Sequence, residues 1–379
     1  MEKIKYPRYL FDQINNWLFQ EKVIIVYGPR QVGKTTLCKE IIDGQPNSLY
    51  LNCEQVKIKD VLESGNLENL RAYLGDYKLV VFDEAQKIKQ IGGLLKLLND
   101  TYPEIQIIAT GSSSFELSNE ITEPLTGRNI KFIMYPVSLN EVSVIFNPFE
   151  IDEKIEGFLR FGMYPDILGR DDSQKTTLLD MLATDYLFRD ILNYENLKQP
   201  ELLVQLLKAI ALQLGSEVSF RELAVLLKTT VETIQRYLDI LERSFVLFHL
   251  TSFSRNLRSE LTRSRKYYFY DNGIRNSLIQ NYNMLTNRND IGALWENFCI
   301  TERMKFLQKE KRKANLYFWR TYQQNEIDLV EESGGELTAV EFKWNPQAKA
   351  KTPTMFLTTY PNSQFKVVHS KNFRDFLIG

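Results

Sequence analysis

The sequence predicts an α/β protein: a parallel-sheet core over residues 1–147, a helical region over 148–284 and a small α/β domain over 285–379. Three observations carry this reading. Residues 1–145 alternate short apolar runs with longer helical patterns, as expected of a parallel sheet covered by helices. After Asn147-Pro148 the apolar spacing turns helical to about Leu214. The last hundred residues return to short strands.

The core strands are expected at Val23–Tyr27, Ser48–Asn52, Lys78–Phe82, Ile105–Thr110 and Asn129–Tyr135. Each ends in polar or small residues, where open α/β sheets place ligands. The first runs into Gly28-Pro29-Arg30-Gln31-Val32-Gly33-Lys34-Thr35-Thr36, which fits GxxxxGK[ST] between a strand and a helix. Such a loop turns backbone N–H groups onto phosphates; Lys34 neutralises the β/γ oxygens and Thr35 ligates Mg²⁺. The third strand ends in Asp83-Glu84, the carboxylate pair that holds Mg²⁺ and orients the attacking water in phosphoryl transfer. The fourth ends at Thr110-Gly-Ser112-Ser113-Ser114, with Thr110 expected to sense the γ-phosphate. Arg128, just before the fifth strand, fits either an arginine finger or a surface salt bridge. These features predict a P-loop core of the ASCE layout with ATP and Mg²⁺ as cofactors.

The helical region shows amphipathic stretches at Leu178–Leu192 and Leu202–Leu214. Ser219 with Glu222 and Thr229 with Glu232 read as capping boxes for two helices. Candidate strands Phe245–Thr251 and Lys266–Tyr270 follow, joined by a basic loop, which is the order of a winged helix. A helix over Gly292–Leu307 then precedes strands at Leu316–Arg320, Glu326–Glu331, Leu337–Lys343 and Gln364–Val368, with a short helix at the end.

Composition narrows the function classes. Cys38, Cys53 and Cys299 include no CxxC pair, against a disulfide scaffold or a zinc finger. Two histidines, His249 and His369, leave little material for imidazole metal centres or a Ser-His-Asp triad. With no run long enough to span a bilayer and no signal-like start, a cytoplasmic protein without membrane attachment is expected. The net charge of −1 hides an asymmetry. Residues 251–379 carry 20 basic and 13 acidic side chains, against 27 and 35 in the preceding 250. A polyanion is therefore expected to meet the rear of the chain.

The start Tyr6-Pro-Arg8, the phosphate loop, Phe82-Asp-Glu-Ala-Gln86, Leu125-Thr-Gly-Arg128 and Tyr135-Pro-Val-Ser-Leu-Asn-Glu141 resemble prokaryotic AAA-type ATPases (AAA_14-like) with a C-terminal DUF4143 domain. So do Phe161-Gly-Met-Tyr-Pro165, Phe188-Arg-Asp190, Tyr268-Phe-Tyr-Asp-Asn-Gly273 and Gly292-Ala-Leu-Trp-Glu296-Asn-Phe298. Met163 departs from the family, which usually has a second Gly there. The resemblance implies an ATPase core, a winged helix and a restriction-endonuclease-like α/β domain.

Glu326-Ile-Asp328 on one strand and Glu341-Phe-Lys343 on the next give the spacing of a PD-(D/E)xK nuclease. Alternation sets Glu341 and Lys343 on one face, with Phe342 on the other. Asp328 and Glu341, with Glu296 from the preceding helix, are expected to hold Mg²⁺ or Mn²⁺, and Lys343 to position a water or stabilise the developing charge. The loop carrying Arg255, Arg258, Arg263, Arg265 and Lys266, flanked by Phe253 and Tyr267, is expected to track a nucleic-acid backbone. Lys305, Lys309, Lys311, Arg312 and Lys313 form a second basic run. The helix Val231–Ser244 is net acidic, a poor guest for a major groove. The expected protein is a homo-oligomeric ATPase, such as a hexamer, that binds DNA through residues 251–379 and cleaves it there. Two rivals stand beside it: a signalling switch whose rear domains hold a protein partner, and an ATP-regulated DNA binder that cuts nothing.

Overall fold

The computed structural model describes residues 4–64, 67–112, 125–185, 199–254, 264–321, 323 and 325–379. They form two compact units. One comprises Pro7–Pro136 with Arg243–Phe245; the other contains Val137–Glu242 and Val246–Gly379.

In the first unit, strands β1 (Val23–Tyr27), β2 (Ser48–Asn52), β3 (Leu79–Asp83), β4 (Gln106–Gly111) and β5 (Asn129–Ile133) form a parallel sheet in the order β2-β3-β4-β1-β5. β1, β3 and β4 are buried at every residue, which is why the sequence shows them as unbroken apolar runs. β4 separates the strand of the phosphate loop from the acidic strand. β3 and β4 each reach one residue beyond their expected ends, so that Asp83 and Gly111 are still held by the sheet. β5 stops at Ile133, two residues short of Tyr135. The helix Lys34–Asp43 buries Leu37, Cys38 and Ile41, and Ile91–Thr101 buries Leu95 and Leu98.

The second unit opens with helices Pro148–Phe161, Asp172–Asp185 and Pro200–Leu212. Asn147 caps the first with a reciprocal Asn147–Glu150 box, and Pro148 supplies the fixed φ favoured in a first turn. Helices Phe220–Leu226 and Val231–Arg243 follow. Ser219 caps the first as expected, accepting from Glu222 N–H. The second is capped by Thr230, whose hydroxyl accepts from Thr233 N–H at 3.2 Å, one residue later than expected.

A seven-stranded sheet completes this unit, in the order β12-β11-β10-β9-β7-β8-β6. Its strands are β6 (Glu217–Val218), β7 (Leu247–Ser252), β8 (Arg265–Phe269), β9 (Asn315–Arg320), β10 (Glu326–Ser333), β11 (Glu336–Lys343) and β12 (Ser363–His369). β7 starts two residues later than expected, after Phe245 takes a left-handed φ of 58°. Pairing is antiparallel for β7–β8, β9–β10 and β10–β11 and parallel for β11–β12. The stretches 148–284 and 285–379, expected as separate domains, are joined by the parallel pairing of β7 with β9 through Thr251↔Tyr317 and Ser252↔Phe318. The helix Ile291–Lys309 buries Leu294, Trp295, Phe298 and Leu307.

Two of the family-like motifs turn out to be one contact. Gly162, at φ +71°, lies so close to Asp271 that a Cβ there would sit 1.9 Å from its Oδ1. Asp271 in turn accepts from the backbone N–H of Met163 at 2.7 Å and of Gly273 at 2.8 Å. Burial raises its carboxyl to a pKa of about 6, against the pull of those N–H groups.

Phe188-Arg-Asp190, Ser113, Ser114, the end of the stretch Leu178–Leu192 and the basic-loop residues Arg255, Arg258 and Arg263 lie outside the described residues. Among the described residues no helix is long and apolar enough to cross a membrane.

Candidate functional site

The phosphate loop leaves β1 at Gly28 and ends at Gly33, the residue before the helix Lys34–Asp43. Gly28 is a steric requirement: a Cβ on it would lie 2.1 Å from the Met134 carbonyl oxygen, at a φ of +148°. Gly33 enters the helix at φ +102°. Arg8 ties the loop from behind, its guanidinium donating to the carbonyls of Val32 at 2.6 Å and Tyr135 at 2.5 Å. A glycine loop opening a helix N-terminus provides inward N–H groups and a favourable dipole for an anion.

Lys34 is buried, its Nζ donating to the carbonyls of Gly28 at 2.7 Å and Pro29 at 2.8 Å. Burial lowers its pKa to about 8, although Glu84 and Asp83 pull the other way. The ammonium is thus parked on the loop's own oxygens, in reach of any phosphate that enters.

Asp83, at the buried end of β3, is the hub. Its Oδ2 accepts from Thr35 Oγ1 at 2.7 Å and Tyr50 OH at 2.5 Å, and its Oδ1 from Thr110 Oγ1 at 2.5 Å. Thr110 also accepts from Glu84 N–H at 3.0 Å, so one hydroxyl bridges the two acidic residues. Glu84 takes a left-handed φ of 55°, and its carboxylate accepts from Gln86 Nε2 at 2.5 Å. The same amide group contacts Ser112 Oγ at 3.0 Å. The structure therefore brings Lys34, Thr35, Asp83, Glu84 and Thr110 to one end of the sheet. Thr36 points outward and is exposed. Sequence reasoning missed Tyr50 and Gln86 as partners. Gln86 had a signal in the Phe82–Gln86 run; Tyr50 had none beyond sharing a strand face with Asn52.

Arg128 is not part of this constellation. It precedes β5 at the level of Val23, whose N–H bonds the Arg128 carbonyl at 2.8 Å. The phosphate loop leaves the other end of β1, five residues or about 16 Å away at the usual rise per strand residue. The Arg128 guanidinium pairs with Asp100 at 2.7 Å in a half-exposed salt bridge. An arginine finger acting on its own subunit's nucleotide is excluded by that placement.

A second group of carboxylates lies in the other unit. Leu329 of β10 pairs with Val340 of β11, so Asp328 and Glu341 occupy the next position along the hairpin. Asp328 Oδ2 accepts from Phe342 N–H at 2.8 Å, and Lys343 Nζ reaches Glu341 Oε1 at 2.6 Å. Phe342 is buried on the opposite face. Burial raises the Asp328 carboxyl well above the carboxylate range, and the charges of Glu296 and Glu341 add to it. Glu296 has other direct partners: its Oε1 accepts from Tyr268 OH at 2.7 Å and lies 3.6 Å from Lys266 Nζ. Among the described residues no three His, Cys, Asp or Glu side chains form a metal-holding group. The expected three-carboxylate set of Glu296, Asp328 and Glu341 is thus reduced here to the hairpin pair, because Glu296 is already engaged by a tyrosine and a lysine. Two carboxylates remain a hard-oxygen donor set suited to Mg²⁺ or Mn²⁺. Of the basic runs, Lys305 is buried against Glu302 rather than displayed.

The first unit carries the glycine loop and the acidic strand end of a P-loop ATPase domain, a class that works with ATP and Mg²⁺. Residues 20–143 match the AAA domain model AAA_14. Residues 291–376 match the domain of unknown function DUF4143; of the motifs read as that domain's, Gly292–Phe298 lies within the match. Residues 152–285 match a separate domain of unknown function, DUF8612, so the DUF4143 match does not include the helix pair or the β7–β8 hairpin. An uncharacterized protein of Mycobacterium tuberculosis is 27% identical over 86% of this chain and 71% of its own length. An uncharacterized protein of Methanocaldococcus jannaschii is 26% identical over 93% of this chain and 81% of its own. Among solved structures, a Walker-type ATPase of Pyrococcus abyssi shares the fold, with a TM-score of 0.51 and 18% identity over 73% of this chain and 96% of its own.

Proposed function

We propose that this protein couples Mg²⁺-dependent ATP hydrolysis to the binding and processing of DNA by residues 251–379, with phosphodiester cleavage at Asp328, Glu341 and Lys343. The observation that carries the first half is the bonding of one carboxylate, Asp83, to both Thr35 and Thr110. Residues 28–36 cradle the triphosphate, Lys34 transfers from the loop carbonyls to the β/γ oxygens, and Thr35 and Asp83 hold the cation. Mg²⁺ when bound neutralises charge on the β and γ phosphates. Glu84 leaves Gln86 to orient the attacking water, and Thr110 keeps the two acidic residues in register. Arg128, distant from its own loop, acts on the nucleotide of a neighbouring subunit in a homo-oligomer.

The second half rests on the Asp328–Glu341–Lys343 grouping and on the basic balance of residues 251–379. Asp328 and Glu341 are the cation ligands. A bound cation there polarises the scissile phosphate and lowers the pKa of its water. Lys343 sits on the ligand Glu341 and stabilises charge on the leaving oxygen. In this reading the helix pair 220–243 with β7 and β8 is a winged helix, and residues 285–379 supply the nuclease-like part of the unit. The deciding experiment incubates the protein with linear and branched DNAs, with and without ATP and Mg²⁺. DNA-stimulated hydrolysis and Mg²⁺-dependent cutting are expected; a panel that neither stimulates hydrolysis nor is cut overturns the reading.

A further inference from the structure

Lys266 is a lysine where a lysine is costly. It lies on β8, not on the hairpin that carries the carboxylates, and only 1% of its side chain is exposed. An ammonium removed from water needs compensating charge at close range. It finds two carboxylates from two different elements: Glu296 of the helix Ile291–Lys309, at 3.6 Å, and Glu326 at the start of β10, which it contacts directly. The Phe318 ring covers it at 5.4 Å, a cation–π contact in a dry setting. Tyr268, two residues on and on the same strand face, donates to the same Oε1 of Glu296 at 2.7 Å.

Period-two alternation thus aims two side chains of β8 at one carboxylate. Glu326 has a further cationic neighbour, Arg320, at 3.8 Å. Asp328 follows Glu326 by two residues, within a stretch where the β9–β10 register shifts, and leads across the hairpin to Glu341. Four carboxylates therefore run in sequence: Glu296, Glu326, Asp328, Glu341. The first two enclose an ammonium; the last two are the ligand pair proposed above. A lysine ammonium is a compact point charge, and it is flanked here by carboxylates in the manner of a small cation.

We propose that Lys266 is a resident cation of this cluster, its ammonium taking between Glu296 and Glu326 the place of a second divalent ion, so that the cluster accepts one ion, on Asp328 and Glu341. This rests on the metal-site reading of Asp328 and Glu341. It makes the site a one-metal site and makes the β8 strand part of it, although β8 lies outside the D…ExK hairpin.

Counting bound Mn²⁺ by electron paramagnetic resonance tests this on the full chain without nucleotide, in a Thr35→Ala, Asp83→Asn background that removes both proposed cation ligands of the phosphate site. One ion per chain is expected, falling to none in Asp328→Asn. Lys266→Gln should bind two, the second lost again when Glu296→Gln is added, and Lys266→Arg should stay at one. Two ions with Lys266 intact, or one in a folded Lys266→Gln protein, overturns the role of Lys266 while leaving the metal reading in place. No ion in any variant overturns the metal reading and this inference with it. Should circular dichroism show Lys266→Gln unfolded, the Lys266 and Lys266→Arg proteins still decide: one ion in each supports the proposal, and two in either overturns it.

Discussion

Thr110 donates its hydroxyl to Asp83 Oδ1 at 2.5 Å and accepts the backbone N–H of Glu84 at 3.0 Å, so a single side chain from β4 fixes both acidic residues at the end of β3. Thr110→Val keeps the shape and deletes both bonds. Hydrolysis should fall roughly tenfold to a hundredfold, in line with one or two lost charge-assisted hydrogen bonds. ATP binding should change little. Steady-state turnover with a direct nucleotide titration separates the two; equal losses in both would make Thr110 a structural residue only.

Lys34→Ala should abolish tight ATP binding, because it removes the charge facing the triphosphate. Glu84→Gln should bind ATP normally and stop turnover, because Glu84 acts on the water alone. Wild-type hydrolysis by Glu84→Gln would refute the assignment of that carboxylate.

The lowered pKa of Lys34, about 8, gives ATP binding a pH dependence. A bound polyphosphate favours the charged ammonium, so binding takes up a proton once the free protein has lost it. Affinity should be level below pH 8 and fall about tenfold per unit above it, until the pKa of the complex is reached. Calorimetry in buffers of different ionisation enthalpy measures that uptake. A flat affinity from pH 7 to 10 would contradict it.

Arg128→Ala should bind ATP and hydrolyse it roughly a thousandfold more slowly. Mixing it with Lys34→Ala should restore part of the activity, since an intact arginine can then face an intact loop across a subunit boundary. Demonstrated co-assembly without any recovery would leave Arg128 with its salt bridge to Asp100 as its whole role.

Gly162→Ala should destabilise the second unit by about 3 kcal/mol or more, since both the positive φ and the Asp271 carboxylate oppose a Cβ. Thermal unfolding of the full chain reads this as a lowered transition. Unchanged unfolding would mean that the Gly162–Asp271 contact is easily rearranged.

The centre of the parallel core was legible because β1, β3 and β4 are buried at every residue and so appear as apolar runs; β1 coincides with its expected limits, as does the edge strand β2, in which only Leu51 is buried. The phosphate loop and Asp83-Glu84 were legible because their chemistry is local in sequence. Tyr50 and Lys266 were not, since each acts on a carboxylate reached only through the fold: Tyr50 lies 33 residues before Asp83, and Lys266 lies on β8 whereas its partners lie on a helix and on β10. The cap at Thr230 rather than Thr229 reflects two adjacent hydroxyls with equal claims in the sequence. Arg128 was ambiguous for a related reason: strand order and polarity, rather than its neighbours in the chain, determine which end of the sheet it occupies.

The short parallel pairing of β7 with β9 bears on how this chain can be cut and recombined. Thr251 and Ser252 cover the outer edge of β9, and the Phe253 N–H bonds the Phe318 carbonyl just beyond them. A fragment beginning near residue 285 would bare that edge, with its row of unpaired N–H and C=O groups flanked by Tyr317 and Trp319. Such an edge recruits other chains. The C-terminal hundred residues are therefore a poor cassette for grafting between relatives, and an excised fragment should self-associate where the fragment starting at Val137 stays dispersed.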